Sequence, residues 1–290
     1  MNMRKAILLG LVLAALPVLS AQANVAKPLR IPVLPPLLTT YDVYVGGFHF
    51  ITAQIWFEEQ KNAYRVVVKA NTRGLWGKFF PWNTVLDARG RINGLRFEPK
   101  EYSGHDEWDY KPKVTKLHFR RGGKVIPEFD PPNTDKNREI VTDAQKKGSL
   151  DPVTALLQML ANVAVKKSCA IPVPVFDGKR RFDITGRDAG DDYTDSDGYG
   201  IYNGKARLCG ADFKMISGEW KDRERARFWK KTETEVGREP FQIWLASPAK
   251  ELPELPVRLE SGSIAGLIVV HLTSWRYATA EEIKAQRAGK

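Results

Sequence analysis

Apolar and polar residues alternate along most of the chain, and Gly-rich and Asp/Asn-Gly turns punctuate the alternation. The run Val114-Thr115-Lys116-Leu117-His118-Phe119-Arg120 is the cleanest instance. A period of two places every second side chain on one face of a strand. Strands are predicted over residues 41–45, 48–58, 63–72, 84–88, 95–102, 114–120 and 124–129. They resume over 171–176, 179–186, 199–202, 206–209, 213–218, 226–236, 240–246, 257–261 and 266–276. Short turns such as Glu59-Gln60-Lys61-Asn62, Gly122-Gly123, Asp177-Gly178 and Asn203-Gly204 join many of them. Strands joined this way pair antiparallel, and so long a series curls or closes instead of staying flat.

One stretch keeps a different period. Val153, Leu156, Leu157, Leu160 and Val163 or Ala164 recur at helical spacing. Pro152 falls where a first-turn N–H would have no partner, and Asp151 is placed to accept the orphan N–H groups behind it. Ala155, Met159 and Ala161 leave only Thr154, Gln158 and Asn162 as polar positions. A helix this apolar needs cover. The predicted fold is all-β: a long antiparallel meander curved into a half-open or closed β-barrel, with one buried α-helix at about residues 152–163. Leu156, Leu157, Met159 and Leu160 then either fill the interior or line it as a ligand's seat.

Residues 1–23 read as a cleaved leader: basic Arg4 and Lys5, an apolar run from Ala6 to Leu19, and Ala21-Gln22-Ala23 as the cleavage site. No other stretch is long and apolar enough to span a bilayer as a helix. The expectation is an exported protein of the periplasm, with no transmembrane segment once the leader is cleaved after Ala23. Residues 24–40 form a Pro-rich extended lead, 41–277 a single β-barrel-like domain, and 278–290 a polar, partly helical tail. Residues 130–147 are the longest loop, and 188–198 an acidic one.

Forty-five Lys and Arg against 34 Asp and Glu give a net charge of +11, which falls to +9 without Arg4 and Lys5. Such a surface favours an anionic envelope surface as partner, while export argues against nucleic acid. In an oxidising compartment the two cysteines, Cys169 and Cys209, read as a disulfide; a metal site or a catalytic thiol are the alternatives. No CxxC or neighbouring His supports a metal, and no metal or cofactor is expected.

Few residues speak for catalysis. His49, His105, His118 and His271 are not at ligand spacing, and no nucleophile turn or nucleotide-binding glycine pattern is present. His105, beside Asp106 and Glu107, is the best candidate for a carboxylate-oriented base, against an exposed loop histidine. The 188–197 loop matches part of a calcium loop, but Tyr193 and Gly204 stand where carboxylates belong. No catalytic residue is assigned. The aromatic segment Trp76, Phe79, Phe80 and Trp82, with Lys78, reads either as core or a packed edge, or as a mouth that meets lipid or a ligand's acyl chains.

Several motifs together carry a resemblance: Gly94-Leu95-Arg96-Phe97-Glu98-Pro99, Leu150-Asp151-Pro152-Val153-Thr154, Val175-Phe176-Asp177-Gly178-Lys179, the two cysteines and Leu255-Pro256-Val257-Arg258-Leu259. They resemble the exported proteobacterial family of domain of unknown function 3108, from about Tyr41 to Trp275. The resemblance implies a curved β structure similar to periplasmic lipoprotein carriers, and hence a cavity for apolar groups. The expected function is non-catalytic: binding or carrying a lipid or other hydrophobic ligand in envelope maintenance. The expected ligand residues are Leu156, Leu157, Met159, Leu160, Trp76, Lys78, Phe79, Phe80 and Trp82. An envelope scaffold with a self-filled barrel, binding a protein or peptidoglycan, is the alternative, and a hydrolase a remote one.

Overall fold

The structure, a computed structural model, describes residues 35–222, 241–263 and 265–288. Seven strands form the first meander: β1 (Leu37–Val45), β2 (Phe48–Gln60), β3 (Ala63–Thr72), β4 (Trp82–Asn93), β5 (Arg96–Trp108), β6 (Lys111–Phe119) and β7 (Val125–Asp130). Six form the second: β8 (Pro172–Phe176), β9 (Arg181–Thr194), β10 (Gly204–Ser217), β11 (Phe241–Ala246), β12 (Leu255–Ser261) and β13 (Ile268–Tyr277). Among the described residues these make one antiparallel sheet of thirteen strands. Its order is β7-β6-β5-β4-β3-β2-β1-β13-β12-β11-β10-β9-β8. The β1–β13 pair fuses the two meanders, with Tyr41 opposite Leu272 and Val43 opposite Val270.

Both free edges therefore belong to strands that are consecutive in sequence. The β7-to-β8 connection carries α2 (Asp143–Lys146) and α3 (Pro152–Lys166). β7 and β8 do not pair, so the sheet is curved and half-open. Packing spans the gap, because Phe176 of β8 shares a buried cluster with Leu117 of β6 and Val125 of β7. The Asp177-Gly178 turn also reaches the far edge: a Cβ on Gly178 would stand 2.7 Å from Thr115 Cγ2. Edge strand β8 is covered by the connection itself. Leu150 N donates to Pro174 O at 2.8 Å and Phe176 N donates to Leu150 O at 2.9 Å, a parallel bridge that satisfies exposed backbone groups.

α3 starts and stops as its sequence dictates. Thr154 N donates to Asp151 Oδ1 at 2.8 Å, and Pro152 occupies the first turn. The helix runs three residues past the predicted end at Val163, and Lys167 closes it at φ 55°. Two of its polar side chains tie it to the sheet. Gln158 Nε2 donates to Leu95 O at 2.7 Å, and Phe97 N donates to Gln158 Oε1 at 2.9 Å, so one amide clamps the β4–β5 turn. Thr154 Oγ1 and Tyr64 Oη are 2.8 Å apart at the start of β3. The Cys169–Cys209 disulfide links the segment after α3 to β10.

Several boundaries differ from the sequence expectation. Residues 37–40 are sheet and not lead, since β1 begins at Leu37; the rest of the lead before residue 35 lies outside the described residues, as does the predicted 226–236 strand. The acidic 188–194 stretch is not a loop but the second half of β9, paired with β10. Its backbone is satisfied there by the partner strand, so exposed carboxylates cost nothing and no apolar alternation is required. Tyr199 to Tyr202, expected as a strand, form turns. β10 runs unbroken through Gly210, whose missing side chain leaves room for the Arg187 guanidinium. β5 extends through His105, placing it on an exposed strand face, not in a loop. The tail forms α4 (Ala280–Arg287), capped by Thr279 and Glu282 and held to β2 by the Arg287–Glu58 ion pair.

Gln158→Ala removes both clamp bonds and leaves the Phe97 N–H without its partner. Urea unfolding is expected to show a loss of about 1–3 kcal/mol with an unchanged m-value.

Candidate functional site

The concave face of the sheet and α3 enclose a cavity of about 530 Å³. From α3 come Leu156, Leu157, Met159 and Leu160. From the sheet come alternate residues of successive strands, among them Tyr41 and Val43 of β1, Ile55 and Phe57 of β2, and Val66 and Val68 of β3. The helix lines the interior and does not fill it. Leu156 is on the apolar face of α3, yet it stays 39% exposed, because that face looks onto empty volume.

The lining is apolar apart from a few groups. Glu254 and Arg258 are its charged residues, and both are already paired. Arg207 Nε donates to Glu254 at 3.2 Å and Lys167 Nζ at 3.3 Å. Arg258 Nε donates to Glu260 at 2.8 Å and Arg258 Nη1 to Asp195 O at 2.6 Å. Burial holds the Tyr41 hydroxyl protonated at any ordinary pH. Such a wall offers no free charge to a ligand inside, and it suits an apolar chain.

The nine expected ligand residues divide. Leu156, Leu157, Met159 and Leu160 line the cavity; Trp76, Lys78, Phe79, Phe80 and Trp82 do not. Residues 74–79 instead form a short helix, α1 (Gly74–Phe79), with no buried residue, so the segment is a packed edge and not core. Its Trp76 packs against Phe48, Phe50 and Phe80. Phe50 lies three residues from Ala53, on the opposite pleat from the cavity-facing Ala53, Ile55 and Phe57. Trp82 stands opposite Trp108 in the β4–β5 pair.

The other candidates are dispersed. His105 is exposed, and its neighbours bond elsewhere: Asp106 accepts from Thr84 at 2.6 Å and Glu107 from Asn83 at 3.2 Å. In the calcium-like stretch, Asp188 accepts from Ser168 and from Cys169 N, and Asp192 accepts from Trp244 Nε1 at 2.9 Å. No group of three or more metal-ligating side chains occurs among the described residues. The cysteines form a disulfide with Cα atoms 5.9 Å apart.

The model of the family described as "Protein of unknown function (DUF3108)" matches residues 40–273. The chain belongs to this DUF3108 family. No curated protein matches. Among solved structures, a β-barrel-like protein of domain of unknown function DUF1849 from Brucella abortus is similar, at 11% identity and a TM-score of 0.47. The match covers 85% of this chain and 99% of that one.

At the N-terminus of α3 this DUF3108 chain holds a feature that the helical period does not signal. Asp151 is completely buried, and its Oδ2 has no hydrogen-bond partner. Burial pushes its carboxyl up to about 6, against the bonds from Thr154 that favour the charged form. Tyr64 and Tyr102, raised by burial and by the Asp151 charge, stay neutral throughout the working range. A carboxyl that binds its proton more tightly folded than unfolded gives full stabilisation below about pH 4. That contribution is lost as pH rises through about 6, on the order of 2–3 kcal/mol in all. Asp151→Asn keeps an N-cap acceptor but cannot ionise. Urea midpoints measured from pH 4 to 8 are expected to show the variant gaining on the parent protein as pH rises. A constant difference across that range contradicts the assignment.

Proposed function

We propose that the protein is a non-catalytic binding protein that shelters the apolar chain of a lipid or lipid-like molecule in the periplasm. The cavity carries this reading. A self-filled barrel would bring α3 into contact with the sheet across its whole apolar face, whereas here four long side chains border unfilled space. The basic residues, apolar run and small-residue cleavage site of residues 1–23 support export.

Size sets the ligand class. At roughly the 30 Å³ that a water molecule occupies in the liquid, 530 Å³ accommodates a chain on the order of fifteen to eighteen carbons. Burying fifteen methylenes contributes about 12 kcal/mol gross. Association costs of about 4 kcal/mol or more leave a Kd near the micromolar range or weaker. Affinity of that order fits a reversible carrier better than a permanent structural lipid.

Leu160→Trp puts a bulky indole ring into the cavity in place of an isobutyl group. Titration with a fluorescent long-chain fatty acid is expected to give saturable binding to the parent protein and a Kd raised about tenfold or more in the variant. Native mass spectrometry of protein taken from the periplasm should show an added mass of lipid size. Saturation absent in titration, together with a bare mass, would end the carrier reading.

A further inference from the structure

The segment that left the cavity suggests a second site. α1 and the β5–β6 hairpin lie at the end of the sheet where β2 begins, β3 ends and β4 begins. α3 is fastened to the opposite end, through Tyr64, Leu95 and Phe97. The cavity extends from α3 toward the α1 end as far as Val43, whose partner Ile51 pairs with Thr72, two residues before α1.

At this end large apolar side chains stand in water. Leu75 is 68% exposed and Phe79 73%, with Phe48, Phe80, Trp108 and Tyr110 exposed beside them. The platform is not loose: Trp76 packs beneath it on Phe48, Phe50 and Phe80, and Phe80 N donates to Trp76 O at 2.7 Å. Asp109 N donates to Pro81 O at 2.9 Å, which ties the hairpin tip to the segment after α1. Lys111 is paired with Asp109, whereas Arg73, Lys78 and Lys113 have no ion-pair partner among the described residues. Exposed aromatic rings flanked by unpaired long-chain cations match the chemistry of a bilayer interface, where rings sit at headgroup depth and cations meet phosphate.

We propose that α1 and the β5–β6 hairpin dock this end of the barrel on an anionic phospholipid surface. Docking there turns the Val43 end of the cavity toward the lipid, and the proposal uses the cavity reading only for that consequence.

The test is co-sedimentation with vesicles of phosphatidylglycerol and phosphatidylcholine, and with phosphatidylcholine alone. The proteins are the mature chain and its Leu75→Ser/Phe79→Ser variant, whose replaced side chains are mostly exposed, so folding is preserved. The expected result is salt-sensitive binding to the anionic vesicles. In the double variant binding falls about a hundredfold, at roughly one decade for each side chain that would be buried. Lys78→Glu lowers it further on anionic vesicles only. Fatty-acid titration in solution stays unchanged in all variants, so failure of the docking surface is read separately from failure of the cavity. Absence of vesicle binding by the parent protein, or equal binding by the double variant, overturns the proposal.

Discussion

The architecture depends on one connection. Both free edges of the sheet, β7 and β8, are neighbours in sequence, and the chain between them has to pass across the open side of the curve. That chain reaches the β8 edge at Leu150 and then enters the interior as a helix, which satisfies its own backbone among apolar side chains. Leu150 bonds to the β8 edge just before the helix, and Cys169 joins β10 just after it. The position of α3 is thus fixed at both ends by groups outside the helix. Gln158 and Thr154 fix it along its length against the first meander. The sheet holds the helix against β4, β5 and β8, and the buried side chains of Leu117, Val125 and Phe176 pack across the two edges that the sheet leaves unpaired.

These ties explain how a cavity survives. An apolar helix in a curved sheet would collapse onto the nearest wall, since each empty volume forfeits contacts. Here the polar ties stand α3 off at one end of the curve, and Leu156, Leu157, Met159 and Leu160 cannot all reach the opposite strands. The buried Asp151 beneath the helix N-terminus adds a cost that falls on the same element.

Much of this was legible in the sequence, and the exceptions have physical causes. Alternation marked most strands, because each has one face on the interior. Asp188 to Thr194 escaped that reading: backbone pairing with β10 holds them extended, while their side chains meet water or local donors. The helix and its cap were plain from Asp151, Pro152 and the leucine spacing. Periodicity states which side chains leave water; it does not state whether they touch one another, so the choice between filling and lining needed coordinates. The aromatic segment shows the converse. Four rings in seven residues looked like core, a packed edge or a mouth, but the short α1 leaves Phe79 in water and sets Trp76 against Phe48 and Phe50 at the sheet's end, while Trp82 opens β4. Tyr64 and Gln158 gave no signal, since their roles arise only where β3 and the β4–β5 turn meet the helix.

The central claim is that α3 forms one wall of a ligand cavity. Hydrogen exchange of its backbone amides, followed with and without a saturating long-chain fatty acid, tests it directly. Slower exchange confined to α3 and to the concave residues of β1 and β2 is the predicted result. Unchanged exchange in α3, with protection appearing only on the convex surface or at α1, would contradict it.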